Sequence, residues 1–105
     1  MKITTNIITE NYKIELARYN GKGTSLRLGF DGSWVNKEVL LIPILDDDLI
    51  KIKELKDGSY LINICALEIF KKIIVPQNKD RPQKGGRVYV PMDYIGCNVL
   101  IVPIE

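Results

Sequence analysis

Seven cations draw attention because they fall in two glycine-bearing segments that carry almost no acid. Arg18, Lys22 and Arg27 lie in RYNGKGTSLR, residues 18–27, which has neither Asp nor Glu. Lys79, Arg81, Lys84 and Arg87 lie in NKDRPQKGGR, residues 78–87, where Asp80 is the one acid. Lysines and arginines gathered on glycine-bearing loops suit a polyphosphate backbone, because each cation that neutralises a phosphate releases a condensed counterion. Arginine can also reach base edges. Blander readings stay open. The loops can be ordinary solvated loops in a lysine-rich chain, and Arg27 and Arg87 can pair with Asp31, Asp93 or Glu38.

Other chemistries find few residues to work with. The chain has no histidine, and Cys65 and Cys97 are isolated, without CxxC spacing. That argues against zinc and leaves two small apolar residues, or a disulfide, as the readings of the cysteines. No Gly-x-Ser-x-Gly or phosphate-loop motif occurs. Asp46, Asp47 and Asp48 form the one dense acidic cluster, and a metal there would need ligands from elsewhere, so a solvated turn is the simpler reading. The expectation is a protein that is not an enzyme, with no cofactor, no metal and no small-molecule substrate.

The framework behind the loops is repetitive. RLGFDGSWVNKEVLLIPI, Arg27–Ile44, matches RVYVPMDYIGCNVLIVPI, Arg87–Ile104, without a gap, and eleven of the eighteen positions are identical or conservatively exchanged. Upstream, Ile3, Glu10, Tyr12, Lys13, Leu16, Ala17 and Asn20 align with Leu61, Glu68, Phe70, Lys71, Ile74, Val75 and Asn78 at an offset of 58, so the second copy carries two extra residues before its arginine. Fixed-period self-similarity is read before anything else. It divides the chain, a single domain over 1–105, into repeat 1 (3–44), a connector hairpin (45–60) and repeat 2 (61–104).

Length and composition agree with one small globular unit. There are 105 residues, 46% hydrophobic and 27% charged, with a net charge of +2. Each half alone is near the lower limit for an independent core, so the halves should share one. No apolar run nears the roughly eighteen residues of a membrane span, and MKITTNIITE has no signal-peptide apolar region. The expected location is cytoplasmic, with no membrane partner.

The pattern of residues predicts a β-rich fold. Strands are expected over 2–9, 12–18, 26–30, 39–45, 60–64 and from Phe70 on, because β-branched and alternating apolar residues dominate there. Ala66, Ile69, Phe70 and Ile73 also have helical spacing, which leaves 66–72 ambiguous. Leu49–Leu55 reads as a strand, with a short helix over 47–56 as the alternative. Val39–Leu45 is apolar throughout, as when both faces are covered, although Pro43 and Pro103 each demand an edge or a bulge. Residues 31–36 and 91–96 fit one helical turn, closed in the left-handed conformation by Asn36 and Gly96. The expected core is Leu28, Phe30, Trp34, Val35, Leu40 and Ile42 with Val88, Val90, Tyr94, Ile95, Leu100 and Val102, around one centre. Tyr89 should point away from Val88 and Val90, available for DNA contact or dimerisation.

The second copy, through Gly86, Arg87, Val88, Val90, Pro91 and Gly96, resembles the AbrB/SpoVT–MazE superfamily of swapped-hairpin DNA-binding domains. GGRVYVPMDYIGCNVLIV is also similar to short archaeal transposon-encoded proteins. The first copy departs from the pattern, with Leu26 for Gly86, Gly29 for Tyr89 and Asp31 for Pro91. The resemblance implies an all-β fold of two tandem swapped-hairpin or cradle-loop units with pseudo-twofold symmetry, both basic loops emerging at one end. It also implies double-stranded DNA as the partner of Arg18, Lys22, Arg27, Lys79, Arg81, Lys84 and Arg87, in a small archaeal or mobile-element regulator, with a homodimer possible. A protein-interaction or structural module of a virus or plasmid is the second reading.

Overall fold

A computed structural model describes residues 3–19, 25–30, 32–76, 78, 80, 81 and 85–104, with side chains described for all of these except 19, 25–30, 32 and 48. The chain is all-β. Its strands are β1 (Ile3–Thr9), β2 (Lys13–Leu16), β3 (Arg18–Tyr19), β4 (Ser25–Phe30), β5 (Glu38–Ile44), β6 (Ile50–Glu54), β7 (Tyr60–Ala66), β8 (Phe70–Ile73), β9 (Val75–Pro76), β10 (Gly86–Pro91) and β11 (Asn98–Pro103). They form three antiparallel sheets, in the orders β1-β7-β6, β2-β11-β5-β8 and β3-β4-β10-β9. Among the described residues no helix is long and apolar enough to cross a membrane.

The continuous apolar run of β5 and β11 is explained by its place between two cores. Val39, Leu41, Val99 and Ile101 join Val88 and Val90 of β10 in one core. Ile42, Ile44, Leu100 and Val102 join Ile62 and Ile64 of β7 in the other. Successive residues of a strand face opposite ways, so a strand covered on both sides needs an apolar residue at every position. Burying each such side chain contributes about 1.5–3 kcal/mol. The single shared centre expected from the sequence is therefore two. Ile95 belongs to neither and is exposed, Val35 and Leu40 are half-buried, and the side chains of Leu28 and Phe30 lie outside those described.

Both prolines sit where their strand has one neighbour among the described residues. β8 pairs with β5 only as far as Leu41, and β2 with β11 only as far as Ile101. Pro43 and Pro103 come after those points, so no ladder is interrupted on the outer side.

The ambiguous stretches resolve by packing. Ala66 ends β7 and, with Ile69, packs in the second core, whereas Phe70 opens β8 and packs against the first. The helical spacing of these residues comes from two strands serving two cores. Residues 47–49 form a 3₁₀ turn, and the strand expected after it runs over Ile50–Glu54. Cys65 and Cys97 are free and half-buried.

A 3₁₀ turn follows β4 and another follows β10, Gly32–Trp34 and Met92–Tyr94, with Trp34 and Tyr94 buried beneath. Asn36 and Gly96 then take φ of 70° and 80°. Gly96 N donates to Ala17 O at 3.1 Å, and Ala17 N donates to Cys97 O at 2.9 Å. Asn36 N donates to Ile74 O at 2.7 Å, and Ile74 N donates to Lys37 O at 2.9 Å. Ile74 thus has the hydrogen-bonding role of Ala17, one residue from the Val75 that the sequence alignment pairs with it. The second copy accordingly carries three extra residues before its arginine, rather than two.

Candidate nucleic-acid interface

In the sheet β3-β4-β10-β9, strand β10 alternates in and out. Val88 and Val90 of β10 are buried in the first core. Tyr89 between them is 37% exposed. Residues directly opposite in an antiparallel ladder share a face. Arg18 pairs with Arg27, and Arg27 pairs with Tyr89, which makes one row across three strands. Gly29, Arg87 and Val75 make the next row. Ser25 pairs with Pro91 beyond. The register positions on the outer face therefore hold three arginines, a tyrosine and no acid.

Side chains are described for most of this face. Arg18 is exposed and Arg87 half-buried. The Arg87 guanidinium carbon lies 5.7 Å from the centre of the Tyr89 ring, within cation–π range. Arg87 Nε is buried and has no hydrogen-bond acceptor among the described residues, although buried donors are usually paired. Of the acids the sequence offers as partners, Glu38 meets Lys71 at 3.2 Å, Asp93 is exposed, and Asp31 lies outside the described residues.

The two basic loops do not leave from one end. β4 and β10 run antiparallel, with Ser25 opposite Pro91 and Gly86 opposite Phe30. The loop before Ser25 and the loop before Gly86 are thus rooted at opposite ends of the ladder, about 17 Å apart at 3.4 Å per residue. The expectation of a common end fails because pairing direction is fixed by the ladder, not by the equivalence of the loops. Lys22, Lys79 and Lys84 lie outside the described residues, as does the side chain of Arg27. Arg81 is exposed in a turn where Arg81 N donates to Asn78 O at 3.0 Å and Asp80 N to Asn78 Oδ1 at 2.9 Å. The described acids of the 46–48 turn, Asp46 and Asp47, are exposed at the entry to β6, in the sheet across the second core.

Trp34 and Tyr94 are packing residues. Trp34 is buried, with Lys13 and Lys37 ammonium groups 5.5 and 5.3 Å from its ring centre. The Tyr94 ring meets Phe70 edge-on at 6.0 Å, and its hydroxyl donates to Glu68 Oε2. Burial, then that hydrogen bond, pushes the Tyr94 phenol up to about 12. Sequence reasoning missed the lysines over Trp34 and the Glu68 contact, because cross-strand neighbours leave no spacing signal within one segment.

A cleft of about 470 Å³ on another part of the surface is lined by Glu10, Asn11, Lys37, Asp57, Ser59 and Pro103 among others. Ser59 N and Ser59 Oγ both donate to Asp57 Oδ1, at 3.0 and 2.6 Å. These bonds, the side-chain one foremost, hold the Asp57 carboxyl below its usual range. Its acceptor oxygen is thereby committed to the turn around Gly58.

Comparison of the chain with protein-family models, curated proteins and solved structures returns no match.

Proposed function

We propose that this chain binds double-stranded DNA through the outer face of β3-β4-β10-β9, as a small cytoplasmic, non-catalytic regulator of the AbrB type encoded by an archaeon or a mobile element. In this reading its two repeats form a swapped-hairpin pseudo-dimer within one chain. The observation that carries the reading is the row Arg18–Arg27–Tyr89 with Arg87 beside it, on a face whose register positions include no acid. Strands can read a duplex from either groove, and the two loops would reach phosphates on either side of the sheet. Arg18, Arg27 and Arg87 act from fixed strands. Lys22, Lys79, Arg81 and Lys84 act from the loops.

Fluorescence anisotropy with a mixed-sequence duplex tests this. Four to six phosphate contacts would lower the logarithm of the affinity by roughly 0.9 per contact for each tenfold rise in salt. Arg87→Ala should weaken binding more than Arg81→Ala, because a side chain on a strand needs less ordering than one on a turn. Absence of binding at roughly 50 μM protein in low salt removes the reading, since non-specific DNA affinity alone would register there. The protein-interaction module then takes its place, favoured by exposed Val75 and Tyr89 on the same face.

A further inference from the structure

Six strands form the edges of the three sheets. β3 and β9 are two residues long. β2 and β8 are four residues long and carry Lys13 and Glu15, and Lys71 and Lys72. β6, IKIKE, alternates isoleucine with Lys51 and Lys53 and ends in Glu54. Short strands and charged side chains are the usual means of blocking edge-to-edge pairing. β1 has neither. It is seven residues long, reads ITTNIIT, and contains no charge, no proline and no glycine. Six of its residues are β-branched, the types best suited to strand pairing. Its single described neighbour is β7. Ile8 is 71% exposed, the most of any large apolar side chain described, and Ile3 is 43% exposed.

We propose that the outer edge of β1, which pairs with no second strand among the described residues, pairs antiparallel with β1 of a second copy of this chain, centred on Asn6. An antiparallel pair about a twofold axis is isologous, so the edge is its own complement and the assembly closes at two copies. Centring on Asn6 uses the whole strand and sets Ile3 against Thr9, Thr4 against Ile8 and Thr5 against Ile7 of the second copy. Every residue in these rows is neutral, so no like charges meet. Ile8 and Thr4, both exposed in one copy, cover each other in two. The Asn63 Nδ2 donates to Asn6 Oδ1 at 2.6 Å, and this side-chain row would continue into Asn6 of the second copy. The joined sheet has the order β6-β7-β1-β1-β7-β6, with the lysines of β6 guarding both outer edges. The surface lies across both cores from Arg18 and Arg87, so this inference does not depend on DNA binding.

Sedimentation velocity on the full chain without nucleic acid, from about 10 μM to about 1 mM, tests it, because one strand pair buries less than a standard interface and should give a concentration-dependent dimer. The unaltered chain should pass from monomer to dimer across that range. Thr4→Lys with Ile8→Lys sets like charges opposite each other in two rows and should raise the dissociation constant at least tenfold. Thr4→Lys with Ile8→Glu sets opposite charges in the same rows and should keep the dimer. Both positions are exposed, and circular-dichroism melts verify that the variants fold. A monomer at every concentration overturns the proposal. So does a dimer that the like-charge variant retains, or growth to open-ended oligomers.

Discussion

Asn36 and Gly96 hold the same left-handed backbone, φ 70° and 80°, and each donates its amide to a carbonyl of the chain entering the first core, Ile74 O and Ala17 O. A β-carbon on Gly96 would meet nothing within 4 Å, so only backbone conformation resists a side chain there. Gly96→Ala should cost about 1–2 kcal/mol, whereas Asn36→Gly should be close to neutral. Urea unfolding at neutral pH checks both, and a Gly96→Ala protein as stable as the unaltered chain contradicts the account.

Gly86 is required for a different reason. A β-carbon there would run into Ile74 Cγ2 and come within 3.1 Å of Val35 Cγ2. Gly86→Ala should therefore destabilise by about 1–3 kcal/mol, as overpacking does. Ile74→Ala opens the space, so the two substitutions together should cost less than their sum. Strict additivity in a double-mutant cycle would show that the close approach is not what constrains Gly86.

Leu41 and Ile101 face each other in the central ladder and are fully buried. Leu41→Ala or Ile101→Ala should cost about 2–5 kcal/mol, a large part of an ordinary domain's stability of about 5–15 kcal/mol. Ile95→Ala should stay within about 0.5 kcal/mol, because that side chain is 55% exposed. Thermal melts of the three variants separate buried from exposed at once.

Tyr94 gives the stability a slope in alkali. Its phenol is pushed up to about 12 by burial and by the bond to Glu68, against an unfolded value of about 10. The folded chain holds the proton more tightly, so this contribution is fully present below about pH 10 and is lost as pH rises toward about 12. Tyr94→Phe should remove that part of the slope. Urea midpoints measured from pH 8 to 11 in both proteins provide the comparison, and identical slopes would count against it.

Much of the fold was legible because it is written in local pattern. The apolar run at Val39–Ile44 announces a strand covered on both faces, and the exchange of Asn36 for Gly96 announces a left-handed residue. What was not legible depends on pairing. Ile95 has the same apolar character as Val35, yet it is exposed while Val35 is half-buried. Two cores in place of one follow from which sheet stacks on which, and no single segment encodes that. For the site, Arg27 and Arg87 stood out at equivalent positions, and the exposure of Tyr89 followed from alternation. That Arg18, Arg27 and Tyr89 form one row required the register, and the register also set the two loops at opposite ends.

Five of the eight ladders among the described residues join the first repeat to the second. β1 pairs with β7, β2 with β11, β4 with β10, and β5 with both β11 and β8. Within the first half the described pairing is Arg18 with Arg27 and Tyr19 with Leu26. A nascent chain that has reached Ile44 therefore has almost nothing to pair with. Loops of roughly sixty residues must close before the central ladder repays their entropy, which places this protein among slow folders of high contact order. Its first half, synthesised alone, should remain unfolded until the second is supplied.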